Sequence, residues 1–401
     1  MTAVLHQVGG SSATRVDAID RAAFSPRARN AGIDVLRGLS IVLVVLHHIG
    51  LRIPLRQSVL RAFVPDWLLR ALIYNGYEAV FVFFVISGFL ITSNCLARWG
   101  SLAAIDARAF YRRRAARILP CLLLLVAVLS AFDLGGVTHY AIDNAKQTLP
   151  RAIVAALGLH LNWYEGMTGY LPASWDVLWS LSIEELFYLA FPLVCLTLGR
   201  TAGRTRWLVP GLLVFALSLP FTRAALEANE VWQEKAYLPG MAAIAMGMLA
   251  AIVAARWTSM RGSTMLWLRA LGVVGLVAVF CFESLLWPLL GNGCVLLETF
   301  SAACLVVSLQ LGAKASTTSP TRWLAWLRSF GRLSYEVYLC HMFAVWIVVD
   351  VYRATGAGQP WGFVWYFPAA ALSWALGWLL ARFFSIPVER IIVGSSSRRI
   401  A

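Results

Sequence analysis

The chain has 401 residues, 60% of them hydrophobic and only 13% charged, where soluble domains carry about a quarter charged residues. With a mean hydropathy of +0.71, 17 Trp and 30 Gly, it lacks the polar material to cover one large soluble core, and it reads as a membrane protein. The formal net charge of +14 would suggest nucleic acid in a soluble protein. Here it reads as Lys and Arg gathered in cytoplasmic loops, and no nucleic-acid partner is expected.

In chain order, residues 1–30 carry Arg15, Arg21, Arg27 and Arg29 without an apolar core. They are predicted to be a flexible cytoplasmic tail and not a signal peptide. Apolar runs long enough to span, about 20 residues each, lie near 33–51, 74–93, 115–132, 176–197, 207–221, 237–254, 266–282, 294–311, 333–350 and 362–382. An eleventh run, PRAIVAALGLHLNW at 150–163, is short and begins with an arginine. If it does not cross and the N-terminus is inside, 24 of the 34 basic residues fall inside, nine outside, and Arg37 within the first helix. A full crossing at 150–163 reverses this bias for the loops that follow, so the run is predicted to be a re-entrant or partial helix. An eleven-crossing arrangement is the alternative.

The expected fold is all-α, a polytopic membrane helix bundle of about ten transmembrane helices plus that short one. The expected organisation is a tail at 1–30, a membrane domain at 31–385 and a second cytoplasmic tail at 386–401. The seven cysteines show no CxxC spacing, so neither a metal site nor a disulfide framework is expected.

Five stretches carry residue types that lipid does not favour. In GIDVLRGLSIVLVVLHHIG at 32–50, Arg37 and His48 are eleven residues apart, about 20° from whole turns, and share one helix face about 16 Å long. Asp34 lies one turn before Arg37 and can pair with it, whereas His47 points about 100° away from His48. Intramembrane ionisable groups are costly unless they have partners or line a pocket. In FVFFVISGFL at 81–90, Ser87 and Gly88 read as a close helix approach. FYRRRAARILP at 110–120 places Arg112, Arg113, Arg114 and Arg117 at the inner membrane face, for topology or for phosphate.

SWDVLWSLSIEELFYLAFPL at 174–193 sets Glu184 and Glu185 inside an apolar helix, with Tyr188 one turn beyond Glu184. Such acids fit an ion path in a transporter or a carboxylate that orients a catalytic histidine. GRLSYEVYLCHMF at 331–343 puts Ser334 and His341 on one face, Tyr338 a turn before His341, and Glu336 as another buried acid. Helix–helix hydrogen bonding is the plainer explanation there.

Taken together, IDVLRGLSIVLVVLHH, VFFVISGFL, RRRAARILP, LWSLSIEELFYLAFPL and GRLSYEVYLCH resemble, in order, the motifs of the integral-membrane acyltransferase-3 family. The resemblance spans residues 33–343. It maps the family's helix-one Arg and His to Arg37 and His48. The Glu of its tryptophan-led motif maps to Glu184, and its last motif to Ser334, Tyr335, Tyr338 and His341. Leu186 stands where the family often has Gln. Some relatives carry an added C-terminal hydrolase-like domain, and none is expected here.

The resemblance implies a bacterial inner-membrane enzyme; the bias of basic residues predicts that it is multi-pass with both termini cytoplasmic. It would move an acyl group, often acetyl, from acyl-CoA to a hydroxyl of a carbohydrate or glycolipid acceptor, with no permanently bound cofactor. His48, Glu184 and Arg37 are then the expected catalytic residues, with Glu184 orienting His48. Asp34, Arg112, Arg113, Arg114, Arg117, Ser334, Tyr338 and His341 are expected to bind the donor. A transporter or flippase, and a non-catalytic membrane scaffold, are the competing classes.

Overall fold

Side-chain caps start several of the helices, because a helix leaves its first amides without internal partners. Asn30 Oδ1 accepts from the Gly32 and Ile33 amides at 3.0 and 3.2 Å and opens helix α1 (Ala31–Gly50). Asp106 caps the fourth helix in the same way, through the Ala109 amide. The computed structural model describes residues 29–199, 205–257, 261–315 and 321–393. Of the expected tails at 1–30 and 386–401, residues 1–28 and 394–401 lie outside the described residues.

After α1 come α2 (Asp66–Tyr74), α3 (Gly76–Trp99) and α4 (Ala107–Leu134). Two short helices follow, α5 (Leu149–Leu157) and α6 (Leu161–Thr168). One further turn, Ala173–Asp176, leads into α7 (Leu178–Gly199). Then come α8 (Leu208–Leu217), α9 (Leu219–Ala224), α10 (Glu230–Lys235) and α11 (Tyr237–Arg256). The chain continues through α12 (Gly262–Leu290), α13 (Gly293–Ala315), α14 (Ala325–Arg332) and α15 (Ser334–Ala354). It ends in α16 (Tyr366–Leu380) and α17 (Ile386–Val393), joined by a π-helical turn at 381–385.

Among the described residues there is no strand, and nine helical segments are long and apolar enough to cross a membrane. The chain is a multi-pass helical bundle. Large apolar side chains also cover its outside, among them Leu189, Leu193, Trp267, Val274 and Phe367, as a lipid-facing surface requires.

Two segments differ in detail from the expectation. The run 207–221 is built from two successive helices, α8 and α9, parted at Ser218, with Pro220 in the first turn of α9. α8 alone rises about 15 Å, half of the roughly 30 Å hydrocarbon core, so α9 supplies the rest of the crossing, and the missing amide of Pro220 accounts for the break. The segment at 386–393, expected in a tail, is helical. The run 150–163 is α5 and the start of α6, parted at Gly158–His160 with Leu159 at φ 59°. Nine residues of α5 rise only about 13 Å.

Two backbone-to-backbone crossings set the register around the interior. A Cβ on Gly38 of α1 would overlap the Leu327 carbonyl oxygen, and one on Gly331 of α14 would overlap that of Asp34. Gly88 of α3 and Gly247 of α11 meet in the same reciprocal way, through the carbonyls of Ile244 and Val85. Glycine permits this approach because nothing projects from its Cα.

Candidate active site

The Gly38 contact turns Arg37 inward, where its Nη2 donates to Ser334 Oγ of α15 at 2.7 Å. Both residues line a cavity of about 190 Å³ between α1, α3, α4, α7 and α15. Arg114 and Arg117 of α4 line it too, with Ser87 of α3, Ser180, Glu184 and Glu185 of α7, and Tyr338. The cavity therefore combines three guanidinium groups and two carboxylates in one mostly apolar interior.

Its polar groups hold one another. Glu184 Oε2 accepts from Ser87 Oγ at 3.2 Å and from Tyr188 Oη at 3.4 Å, and Ser87 and Tyr188 are themselves hydrogen-bonded. The Arg114 guanidinium lies 3.6 Å from the centre of the Tyr188 ring and 3.5 Å from Glu185 Oε1, an arrangement stabilised by ion pairing and by the face of the ring. The two acids of the cavity thus have cationic or hydroxyl partners, which their placement demands.

At its other end the cavity meets a group of rings. Tyr338 Oη accepts from Ser180 Oγ at 2.8 Å and donates to the Val177 carbonyl at 2.9 Å. The Tyr338 ring is 5.7 Å from His341, and His341 is 5.1 Å from His48, centre to centre. His341 Nδ1 lies 2.7 Å from the Tyr338 carbonyl oxygen, so that nitrogen carries the proton. Its Nε2 lone pair is buried with no partner. His47 Nδ1 is 2.7 Å from the Ile73 carbonyl of α2, so His47 ties two helices together. The His48 imidazole has no hydrogen-bond partner among the described residues, which leaves it available to a substrate.

The structure brings together Arg37, Arg114, Arg117, Glu184, Ser334 and Tyr338 in the cavity, and His48 and His341 beside it. It separates others. Asp34 does not pair with Arg37: Arg29 Nε takes its Oδ1 at 3.0 Å, because Asp34 in the first turn faces the residue before the cap. Glu184 does not touch His48; its hydrogen bonds go to Ser87 and Tyr188. Arg112 is exposed, and neither it nor Arg113 lines the cavity.

Ser87 is the site residue that sequence reasoning assigned to packing. Its signal was its place on α3 opposite Glu184, which only the tertiary structure supplies. Equally unforeseen is a buried ionic triad: Lys235 Nζ donates to Glu165 Oε2 at 3.2 Å and to Asp176 Oδ1, with Glu165 fully buried. It pins α6 to the start of α7 and to α10.

The family described as an acyltransferase domain matches residues 30–382. The O-acetyltransferase OatA of Staphylococcus aureus (strain NCTC 8325 / PS 47) is 31% identical over 182 residues, covering 43% of this chain and 25% of that protein. A second Staphylococcus aureus protein (strain COL), provisionally named an O-acetyltransferase, is 30% identical over 175 residues, 42% of this chain and 25% of its own length. The match thus spans about a quarter of the length of these curated relatives. No solved structure matches the chain.

Proposed function

Because this chain belongs to the acyltransferase family whose domain covers residues 30–382, we propose that it is a membrane O-acyltransferase. It moves an acetyl group from acetyl-CoA to a hydroxyl of a carbohydrate or glycolipid acceptor. The observation that carries this reading is the cavity with its surroundings: arginines line it, and beyond Tyr338 lies His48, free of hydrogen bonds among the described residues, beside His341.

Arg114 and Arg117 meet the phosphates of CoA, for which guanidinium is a forked, permanently charged donor. Arg37, held by Ser334, keeps a cation at mid-path for the thioester end. His48 takes the proton of the acceptor hydroxyl as that oxygen attacks the thioester carbonyl. The tetrahedral intermediate collapses, the C–S bond breaks, and the departing thiolate takes the proton from the imidazolium. His341, with a free Nε2 lone pair beside His48, steadies that imidazolium, the part earlier expected of Glu184. Glu184 instead fixes Ser87 and Tyr188, and through Tyr188 the stacked Arg114.

The enzyme sits in a bacterial inner membrane with both termini in the cytoplasm, as the charge bias of its loops supports. The donor then enters from inside and the acceptor from outside. Purified protein incubated with labelled acetyl-CoA and a panel of glycans tests the reading. Thiol release coupled to labelled ester supports it, and transport of a glycan without thiol release replaces it with the transporter reading.

A further inference from the structure

Beyond the last turn of α1, on the side of His48 away from the cavity, lies a second cationic group. Arg52 Nη1 donates to the His48 carbonyl at 2.6 Å. Its guanidinium sits 4.1 Å from the centre of the Trp346 ring, against which His139 also stacks, at 3.7 Å and nearly parallel. Arg52 Nε and Trp346 Nε1 are both buried donors without partners. A buried N–H left unpaired is costly, and a ligand acceptor would satisfy it.

Arg353, exposed at the end of α15, lies seven residues beyond Trp346 and so shares its face of that helix. The Arg52 pKa is pushed down to about 10, by burial first and then by Arg353. Neither guanidinium has a carboxylate partner among the described residues, since Asp350 is taken by His139 at 3.1 Å. Topology does not explain the pair, because basic residues are sparse on this side of the chain. The helix C-termini beside them favour positive charge, but that accounts for neither the orphan donors nor two guanidiniums without a carboxylate.

We propose that Arg52 and Arg353, with Trp346, form a subsite for an oxyanion carried by the acceptor, a phosphate or a carboxylate, held next to His48. This rests on the acyl-transfer reading and narrows it: the preferred acceptors are anionic glycans or phosphate-linked glycolipids, not neutral sugars. Arginine suits either group through paired N–H donors, and its link to the His48 carbonyl sets the bound anion a fixed distance from the base. A phospholipid headgroup offers the same chemistry from another source.

The test uses the full chain in non-ionic detergent and reads Tm at matched ionic strength. Probes are inorganic phosphate, glucuronate and glucose. Phosphate and glucuronate should raise Tm in a saturable way, and glucose should not. The glucuronate-induced rise should be lost in Arg52→Gln and in Arg353→Gln, yet persist in Arg114→Gln; phosphate also has the inner arginines to bind, so its rise should shrink in the outer variants without vanishing. Arg353 is exposed, so its variant keeps the test alive if Arg52→Gln fails to fold. A glucuronate-induced rise that survives both outer variants, or no rise with either anion, overturns the proposal. So does stabilisation by phosphatidylglycerol nanodiscs over phosphatidylcholine ones without any effect of the soluble anions, which would assign the site to lipid. Thiol release from acetyl-CoA is measured separately, so a failure of the transfer reading leaves the anion result standing on its own.

Discussion

Replacing His48 with alanine, beside the same change at His47, separates chemistry from architecture in neighbouring residues. His47 gives its Nδ1 proton to the Ile73 carbonyl at 2.7 Å, so His47→Ala removes one hydrogen bond between α1 and α2. That costs about 0.5–1.5 kcal/mol of stability and touches no reacting atom. His48 has no such tie; its neighbours are the rings of His47 and His341 at 5.2 and 5.1 Å. Removing it takes away the proposed proton acceptor, and general-base catalysis contributes about 10²–10⁴-fold, or roughly 3–5 kcal/mol of barrier at 1.36 kcal/mol per decade. The assay is transfer of labelled acetyl from acetyl-CoA in membranes, with expression and a detergent melting curve for each variant. His48→Ala should lose activity by that factor with little change in Tm, and His47→Ala should lower Tm with a much smaller loss of turnover. Near-normal turnover in His48→Ala refutes the mechanism. Loss of donor binding together with turnover would make His48 a positioning residue and move the base to His341.

Further outcomes follow from other contacts. Arg114→Gln removes a charge-assisted contact worth about 1.5–3 kcal/mol, so the KM for acetyl-CoA should rise about ten- to a hundredfold while kcat changes less; steady-state kinetics decides. Glu184→Gln should lower transfer more than Glu185→Gln, because Glu184 anchors both Ser87 and Tyr188, and equal small effects would leave Glu184 a structural residue. Burial, and then the neighbouring Asp176, push the Glu165 carboxyl well above the ordinary range. Its stabilising contribution is therefore whole below the unfolded value near 4.5 and falls as pH rises through the folded one, by about 1.4 kcal/mol per pH unit in between. Glu165→Gln should flatten that part of the Tm–pH curve, and an unchanged slope would assign it to another group. A cysteine at position 201, outside the described residues, should react with impermeant thiol reagents from the cytoplasmic side alone; labelling from the other side would favour eleven crossings.

What the sequence made legible was what repeats along a single helix. The Arg37–His48 face, the Glu184–Tyr188 pair and the boundaries of most spans follow from helical spacing and hydropathy. Contacts between distant segments did not. Lys235, Glu165 and Asp176 sit on three separate elements, and nothing in their local sequence marks them as a triad. Ser87 reads as a small residue in an apolar helix until α7 is placed against it. Asp34 lay in the first turn, where the residue before the cap competes for it, and spacing along the helix favoured Arg37 only by ignoring Arg29. The break at Ser218 escaped because average hydropathy takes no account of the missing amide of Pro220.

The reciprocal glycine crossings bear on acyl-chain length. Sliding α1 by one residue along α14 would drive Arg37 or Leu39 onto the Leu327 carbonyl, where only Gly38 fits. The Gly88–Gly247 crossing opposes the same slip between α3 and α11. Helices locked at backbone contact on two sides of the cavity make poor rockers and good posts, so the donor's flexible arm must do the travelling. The distance from Arg37 to His48, about 16 Å by helical rise, then works as a gauge with fixed jaws. On the acyl-transfer reading proposed above, an acyl group longer than acetyl would have to find its extra carbons a place between the same walls, and chain-length preference would be set by two glycine contacts that never touch the substrate.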